Sequence, residues 1–259
     1  MCPTILSQNL SRPAPERFKL GKTDLHVWQT SVNLPARLVE VLESILSDAE
    51  MVRANRFVAY NDRQRFIVAH CFLRTILASY LRSKPEDLQF QENPYGKPAP
   101  LNCVGEERIH FNLSHSNDFV LVAINNRDEV GVDIEYIREI DIEEIATRFF
   151  STIELEKLRA MPTDMRRTAF FQCWTRKEAY IKARGEGLSL PLDQFSVSVG
   201  PYEPSYALEI KTITGERPKY SLFDLSPGEN YVGAVAIEGS EWNVRHWQTS
   251  FAPDEFYVF

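Results

Sequence analysis

Apolar residues recur at the helical period early in the chain and again past its middle, with strand-period runs between and after them. Asn33 and Pro35 read as an N-cap and a first-turn proline, followed by Leu38, Val41, Leu42 and Ile45 at helical spacing. A second helical piece begins near Ser47 and Asp48. Asn61 then reads as the cap of a stronger helix, in which Phe66, Ile67, Phe72, Leu73, Ile76, Leu77 and Tyr80 make a wide apolar stripe. Before the short strand LHVWQT, the proline-bearing start of the chain reads as a loose arm.

After Pro85 the pattern changes. LQFQ, the turn-rich NPYGKPAP, IHFNLSHS and the continuous apolar run FVLVAI read as strands and turns, the last suited to burial on both faces. In VGVDIEYI, Val130, Val132 and Ile134 alternate with Gly131, Asp133 and Glu135, so one face is apolar and the other holds two carboxylates. Helices follow over about 141–150 and from Ser151, where Ser151 and Glu154 have the form of a capping box. A further helix, capped by Thr163 or Asp164, should stop at Gly185. LDQFSVSV, YALEIK, YSLFDL, YVGAVAI and EWNVRHW close the chain as strands. The mixed order of elements makes the fold class α+β, and helices followed by strands in both halves permit a pseudo-duplication.

Composition narrows the function. The chain has 259 residues, 44% of them hydrophobic and 25% charged, as in a soluble globular protein. No membrane span or signal peptide is read, which points to the cytoplasm. Cys2, Cys71, Cys103 and Cys173 are too scattered for a zinc site or a disulfide framework and read as buried or idle thiols. A net charge of −7 argues against nucleic acid as a general partner. Against that background Arg53, Arg56, Arg63, Arg65 and Arg74 form a basic stretch, broken only by Asp62, that is a candidate seat for an anionic ligand or an acidic partner.

The helix over 165–184 breaks its own pattern. Lys177 falls in the middle of its apolar stripe, and Glu178 on the flank between Phe171 and Trp174, where a carboxylate loses hydration. On the helix alone, Glu178 and Lys182 make an ordinary i,i+4 ion pair, and Lys177 snorkels. Asp133 and Glu135 change the balance, because they project together from a strand. Three converging carboxylates repel one another, and a hard divalent cation such as magnesium resolves the conflict. Ser114 and His115 sit near a strand end, and Lys97 sits in the rigid Gly-Lys-Pro turn. No phosphate-binding GxxxxGK loop, GxGxxG turn, GxSxG elbow or HExxH helix is present.

Asn-Leu-Ser-His-Ser at 112–116, Val-Gly-Val-Asp-Ile-Glu at 130–135, Phe149-Phe150-Ser151 with Glu154, Trp174-Thr-Arg-Lys-Glu-Ala-Tyr-Ile-Lys182 and Gly187-Leu-Ser-Leu-Pro191 stand in a fixed order. Together they resemble the 4′-phosphopantetheinyl transferases of the surfactin-synthetase-activating (Sfp) type, over about 47–199. The resemblance implies two similar α/β subdomains forming a pseudo-dimer, here 1–125 and 126–259, with the active site in the cleft between them. It implies transfer of the phosphopantetheine arm of coenzyme A to a serine of an apo acyl or peptidyl carrier protein by a monomeric enzyme, releasing adenosine 3′,5′-bisphosphate. Asp133, Glu135 and Glu178 would hold Mg2+, and Lys182 would contact phosphate. Ser114, His115, Lys97 and Arg53 would bind coenzyme A, and Lys177 would belong to the site. Glu178, or a water it orients, would be the base. Glu50 and Glu186 stand where the family pattern often has basic residues. The carrier is expected to be acidic and to meet the basic stretch. Other readings of the same residues are a non-catalytic coenzyme A sensor and a metal-dependent phosphohydrolase.

Overall fold

The computed structural model describes residues 6–9, 19–101, 108–200, 211–212 and 220–249. Local capping chemistry fixes its short helices. Ser47 caps α2 (Asp48–Ala54) with a complete capping box, its hydroxyl accepting from the Glu50 amide while the Glu50 carboxylate accepts from the Ser47 amide. Ser151 and Glu154 do the same for α5 (Thr152–Ala160), as the sequence predicts. Asp141 accepts from the Glu144 amide at the start of α4 (Ile142–Phe149).

The two long helices start differently from expectation. α3 (Tyr60–Leu81) begins behind Ala59 and α6 (Thr163–Arg184) behind Pro162, neither with a side-chain cap. Asn61, Thr163 and Asp164 are therefore not caps. Asn33 bonds Asp118 instead of capping α1 (Ala36–Leu42), which follows Pro35. Helices of this length draw their stability from a buried face rather than from their ends. α6 does close at Gly185, in the left-handed region at φ 66°.

Five strands form one sheet in the order β1 (Leu6–Asn9), β12 (Asn243–Gln248), β2 (Asp24–Ser31), β6 (Phe119–Asn125), β5 (His110–Ser116). The start of the chain thus supplies an edge strand where an arm was expected. The rest of that arm, 1–5 and 10–18, lies outside the described residues. A second, antiparallel sheet has the order β10 (Tyr220–Leu225), β11 (Tyr231–Glu238), β7 (Val130–Tyr136). Two small ladders join β3 (Phe90–Glu92) to β4 (Pro98–Pro100) and β8 (Phe195–Ser196) to β9 (Lys211–Thr212). The strand expected over 192–199 is only β8. Of the one expected over 206–211, residues 206–210 lie outside the described residues.

Alternation within the strands builds three cores. Trp28, Val120, Val122 and Ile124 face α3, while Val27, Leu121 and Ala123 face the other sheet. There they meet Val130, Val132, Ile134 and Val235, whose neighbours Ala234 and Ala236 face α6. The layers therefore run helix, sheet, sheet, helix. Cys71 and Cys173 are buried in them, and burial pushes both thiols well above their usual pKa, as idle thiols should be.

Candidate active site

β5 and β7 are the edge strands at which the two sheets meet, and side chains join them. The Asn112 Oδ1 accepts from the Val132 amide at 2.9 Å, and the Ser116 hydroxyl accepts from the Tyr136 amide at 3.0 Å. Between them the Ser114 hydroxyl donates to Asp133 Oδ1 at 2.8 Å, and Ser116 donates to Glu135 Oε2 at 3.1 Å. Of these three, Ser114 alone carries a ligand-binding role in the sequence reading. The period-two spacing of Asn112 and Ser116 with Ser114 was the signal that one polar face of β5 is shared.

Asp133 and Glu135 do not face solvent. They share a face with Gly131, and that face lies beneath α6. A Cβ on Gly131 would fall 2.1 Å from the Ala179 carbonyl oxygen and 2.3 Å from the Ala183 amide nitrogen. The missing side chain lets the helix backbone rest on the strand. This approach brings Lys182 over Asp133, whose Oδ1 accepts from the ammonium at 2.6 Å. The same ammonium donates to Ser114 Oγ at 3.0 Å and to the Val132 carbonyl at 3.3 Å. Arg138 donates to Glu135 Oε2 at 3.0 Å.

Glu178 lies one turn before Lys182 and makes no side-chain hydrogen bond or ion pair among the described residues. Burial raises its pKa above the usual carboxylate range, and Asp133 and Glu135 add to this, with Lys182 opposing them. Asp133 Oδ2 is buried and has no hydrogen-bond donor among the described residues. Among those residues no three acidic, histidine or cysteine side chains stand close enough together to cage a metal as they are. The donor set nevertheless fits a hard cation. It offers an orphaned buried carboxylate oxygen, a further carboxylate, Glu178, whose charge Asp133 and Glu135 oppose, and oxygen-only chemistry.

Glu178, Lys182, Asn112 and the Gly96-Lys97-Pro98 turn line a cavity of about 250 Å3. Gly96 and Pro98 also border a larger one of about 530 Å3, which holds the exposed Arg53 together with Glu50, His70 and Phe90. Arg53 is thus placed next door to the carboxylates rather than among them. His115, exposed at the end of β5, is held below its usual pKa by desolvation and by the Lys182, His70 and Arg65 charges.

Two expected ligand-binding lysines are engaged elsewhere. Lys177 is 0% exposed, and its ammonium donates to both Glu154 oxygens at 2.7 and 2.6 Å and to the Phe195 carbonyl at 2.8 Å. It has no proton left for a ligand, so its assignment to the cofactor site is corrected to an internal tie between α6 and α5. Its partner is the capping-box glutamate, which the sequence analysis gave only a local role. Lys97 lines the cavity with its stem, while its ammonium donates to Glu129 at 2.5 Å and to the Val130 and Ala183 carbonyls. Desolvation lowers its pKa.

The basic stretch is likewise not one patch. Arg74 is buried and donates to Glu50 and to the Pro85 and Leu88 carbonyls. Arg63 pairs with Glu43 and Arg65 with Asp62. Arg53 and Arg56 alone in this stretch lack an acidic partner among the described residues. Glu50 is the hub that explains its own presence. Burial opposes its charge, but hydrogen bonds from His70 and Arg74 outweigh this and draw its pKa down to about 2. Glu186 pairs with Arg184.

Two helix-covered sheets meeting along a seam of hydroxyls, carboxylates and a lysine define an α+β protein of two similar subdomains with an acid-rich cleft at their joint. A family model described as the 4′-phosphopantetheinyl transferase superfamily matches residues 129–236, and one described as 4′-phosphopantetheinyl transferase, N-terminal, matches 28–127. The 4′-phosphopantetheinyl transferase HetI of Nostoc sp. is 36% identical over 236 residues, covering 91% of this chain and 96% of that protein. The 4′-phosphopantetheinyl transferase Sfp of Bacillus subtilis is 36% identical over 155 residues, 60% of this chain and 66% of its own length. The 4′-phosphopantetheinyl transferase gsp of Aneurinibacillus migulanus is 38% identical over 154 residues, 60% of this chain and 62% of its own. The chain belongs to the 4′-phosphopantetheinyl transferase superfamily.

Proposed function

We propose that this chain transfers the 4′-phosphopantetheine arm of coenzyme A to a serine of an apo acyl or peptidyl carrier protein. The observation that carries the reading is the placement of Asp133, Glu135, Glu178 and Lys182 on one wall of the seam, beside a cavity that shares Gly96 and Pro98 with the larger one holding Arg53. The serine oxygen forms a bond to the phosphorus that bears pantetheine, and the bond from that phosphorus to the bridging pyrophosphate oxygen breaks. Adenosine 3′,5′-bisphosphate leaves with the electron pair. Such a displacement asks for positioning and charge stabilisation more than for covalent help.

Glu178 takes the serine proton, directly or through a water it orients. Lys182 shifts part of its bonding from Asp133 and Ser114 to substrate phosphate. Arg53 and His115 reach the nucleotide end, and the Lys97 stem shapes the wall between the cavities. Asp133, Glu135 and Glu178 would hold Mg2+, which when bound neutralises pyrophosphate charge. No described helix is long and apolar enough to cross a membrane, and the reading is of a cytoplasmic monomer.

Incubation with coenzyme A, magnesium and an apo carrier should add the mass of the arm to the carrier. Absence of that shift across fatty-acid, polyketide and peptide-synthesis carriers would overturn the proposal. Glu178→Gln should keep the fold, read by circular dichroism, and lose at least about 100-fold in rate, the scale of a lost general base.

A further inference from the structure

The wall between the two cavities belongs to neither large sheet. Among the described residues β3 and β4 pair only with each other, so no ladder fixes the Gly96-Lys97-Pro98 turn against the seam. Side chains must do so instead. At the base of this hairpin the N-terminal half holds it. The Phe90 ring meets Phe111 of β5 edge-on with centroids 5.7 Å apart, and the Arg74 guanidinium lies 5.2 Å from its centroid.

At its tip the hairpin is held by the C-terminal half. Asn93 Nδ2 donates at 2.9 Å to the carbonyl of Gly185, the C-cap of α6, and the Lys97 ammonium donates to the Ala183 carbonyl at 3.3 Å. The fit is close, since a Cβ on Gly185 would fall 3.3 Å from Asn93 Nδ2 and 3.2 Å from Lys97 Cδ. The other end of the Asn93 amide shapes the turn itself. Its Oδ1 accepts from the Tyr95 and Lys97 amides, both at 2.9 Å, closing the turn as asparagine side chains do. One amide group therefore couples the shape of the cavity wall to its place on α6. Gly185 lies about one turn beyond Lys182 and two beyond Glu178 on that helix.

We infer that Asn93 is a positioning residue, which registers the cavity wall against Glu178 and Lys182 before coenzyme A arrives. The inference rests on the transferase reading, in which this wall borders bound coenzyme A. A tie already made in the free enzyme preorganises the site, so its loss falls on coenzyme A binding rather than on the chemical step.

Asn93→Ser and Asn93→Ala separate the two ends of the amide without adding charge. The first keeps a short acceptor that can close the turn and loses the reach to Gly185; the second loses both. Each should raise the Kd for coenzyme A in calorimetry, and its KM in transfer, by about fivefold, the scale of one net hydrogen bond. The kcat at saturating coenzyme A and the KM for the carrier should stay at wild-type values. Unchanged coenzyme A affinity in both variants, with or without a lower Tm, would overturn the role. Unchanged affinity in Asn93→Ser alone would show that closing the turn suffices, and would overturn the tie to α6. Wild type that binds coenzyme A but modifies no carrier would remove the transferase reading, while the Kd comparison still decides the role of Asn93. Wild type that binds no coenzyme A would overturn both.

Discussion

The helices α3 and α6 are each 22 residues long, lie on separate sheets, and carry the same kind of buried ion pair at the same place. Arg74 and Lys177 are each the fifteenth residue of their helix. Each reaches the glutamate of a capping box on the preceding short helix, Glu50 on α2 and Glu154 on α5, and each also donates to backbone carbonyls outside its own helix. One residue further on, the halves part. α3 has Thr75 and Ser79 where α6 has Glu178 and Lys182. Ser79 spends its hydroxyl on the Thr75 carbonyl within its own helix. The scaffold is repeated, and the charged pair that faces the seam occurs once.

Cutting the repeated device should show whether the halves bear equal load. Lys177→Met leaves Glu154 buried without a cation and should cost about 3–5 kcal/mol. Arg74→Met should cost less, because Glu50 keeps the His70 contact at 3.1 Å and is not wholly sealed from water. Urea unfolding of the two variants gives the comparison, and equal losses would mean that the His70 contact and the access to water contribute nothing.

Gly131→Ala strikes the C-terminal half alone. Relieving contacts of 2.1 and 2.3 Å to helix backbone requires α6 to move, at about 1–3 kcal/mol. Transfer should fall further than stability does, since Glu178 and Lys182 ride on that helix. A variant of lower Tm but full rate would show that the close approach serves packing only.

Acid should act on the five-stranded sheet. His26 and His246 are buried in the five-stranded sheet, where desolvation pushes their pKa down to about 4. The unfolded chain therefore binds more protons between pH 6.5 and 4, and stability is lost as pH falls through that window. The expected slope is about 1 kcal/mol per pH unit for each histidine. The three-stranded sheet contains no histidine. His246→Gln should reduce the slope in a pH series of unfolding curves, with His26 and the His115 of β5 supplying the rest, and an unchanged slope would place the acid-sensitive groups elsewhere.

What the sequence revealed follows the range of the physics. The Ser151–Glu154 box, the Gly185 stop and the alternation of β7 are local, and all are found. Lys177 was visible as an anomaly, but its partner lies 23 residues away, and helical period alone points no further than snorkelling. Alternation placed Asp133 and Glu135 on one face of β7 without saying what covers that face. Gly131 between two valines was the available hint that a backbone lies against that face. The arginines of 53–74 share a stretch of sequence, yet they fall on α2, the turn after it and α3, and burial of Arg74 turns a presumed surface charge into an internal brace.

The seam between β5 and β7 has a mechanical consequence. Each is the outermost strand of its sheet, and Asn112, Ser114 and Ser116 lace them where a neighbouring strand would form a ladder. Ladder spacing is set by peptide geometry and hardly yields, whereas lacing by short side chains can lengthen through a change of rotamer. The lacing at these three side chains can therefore change length by rotamer while the register within both sheets stays fixed.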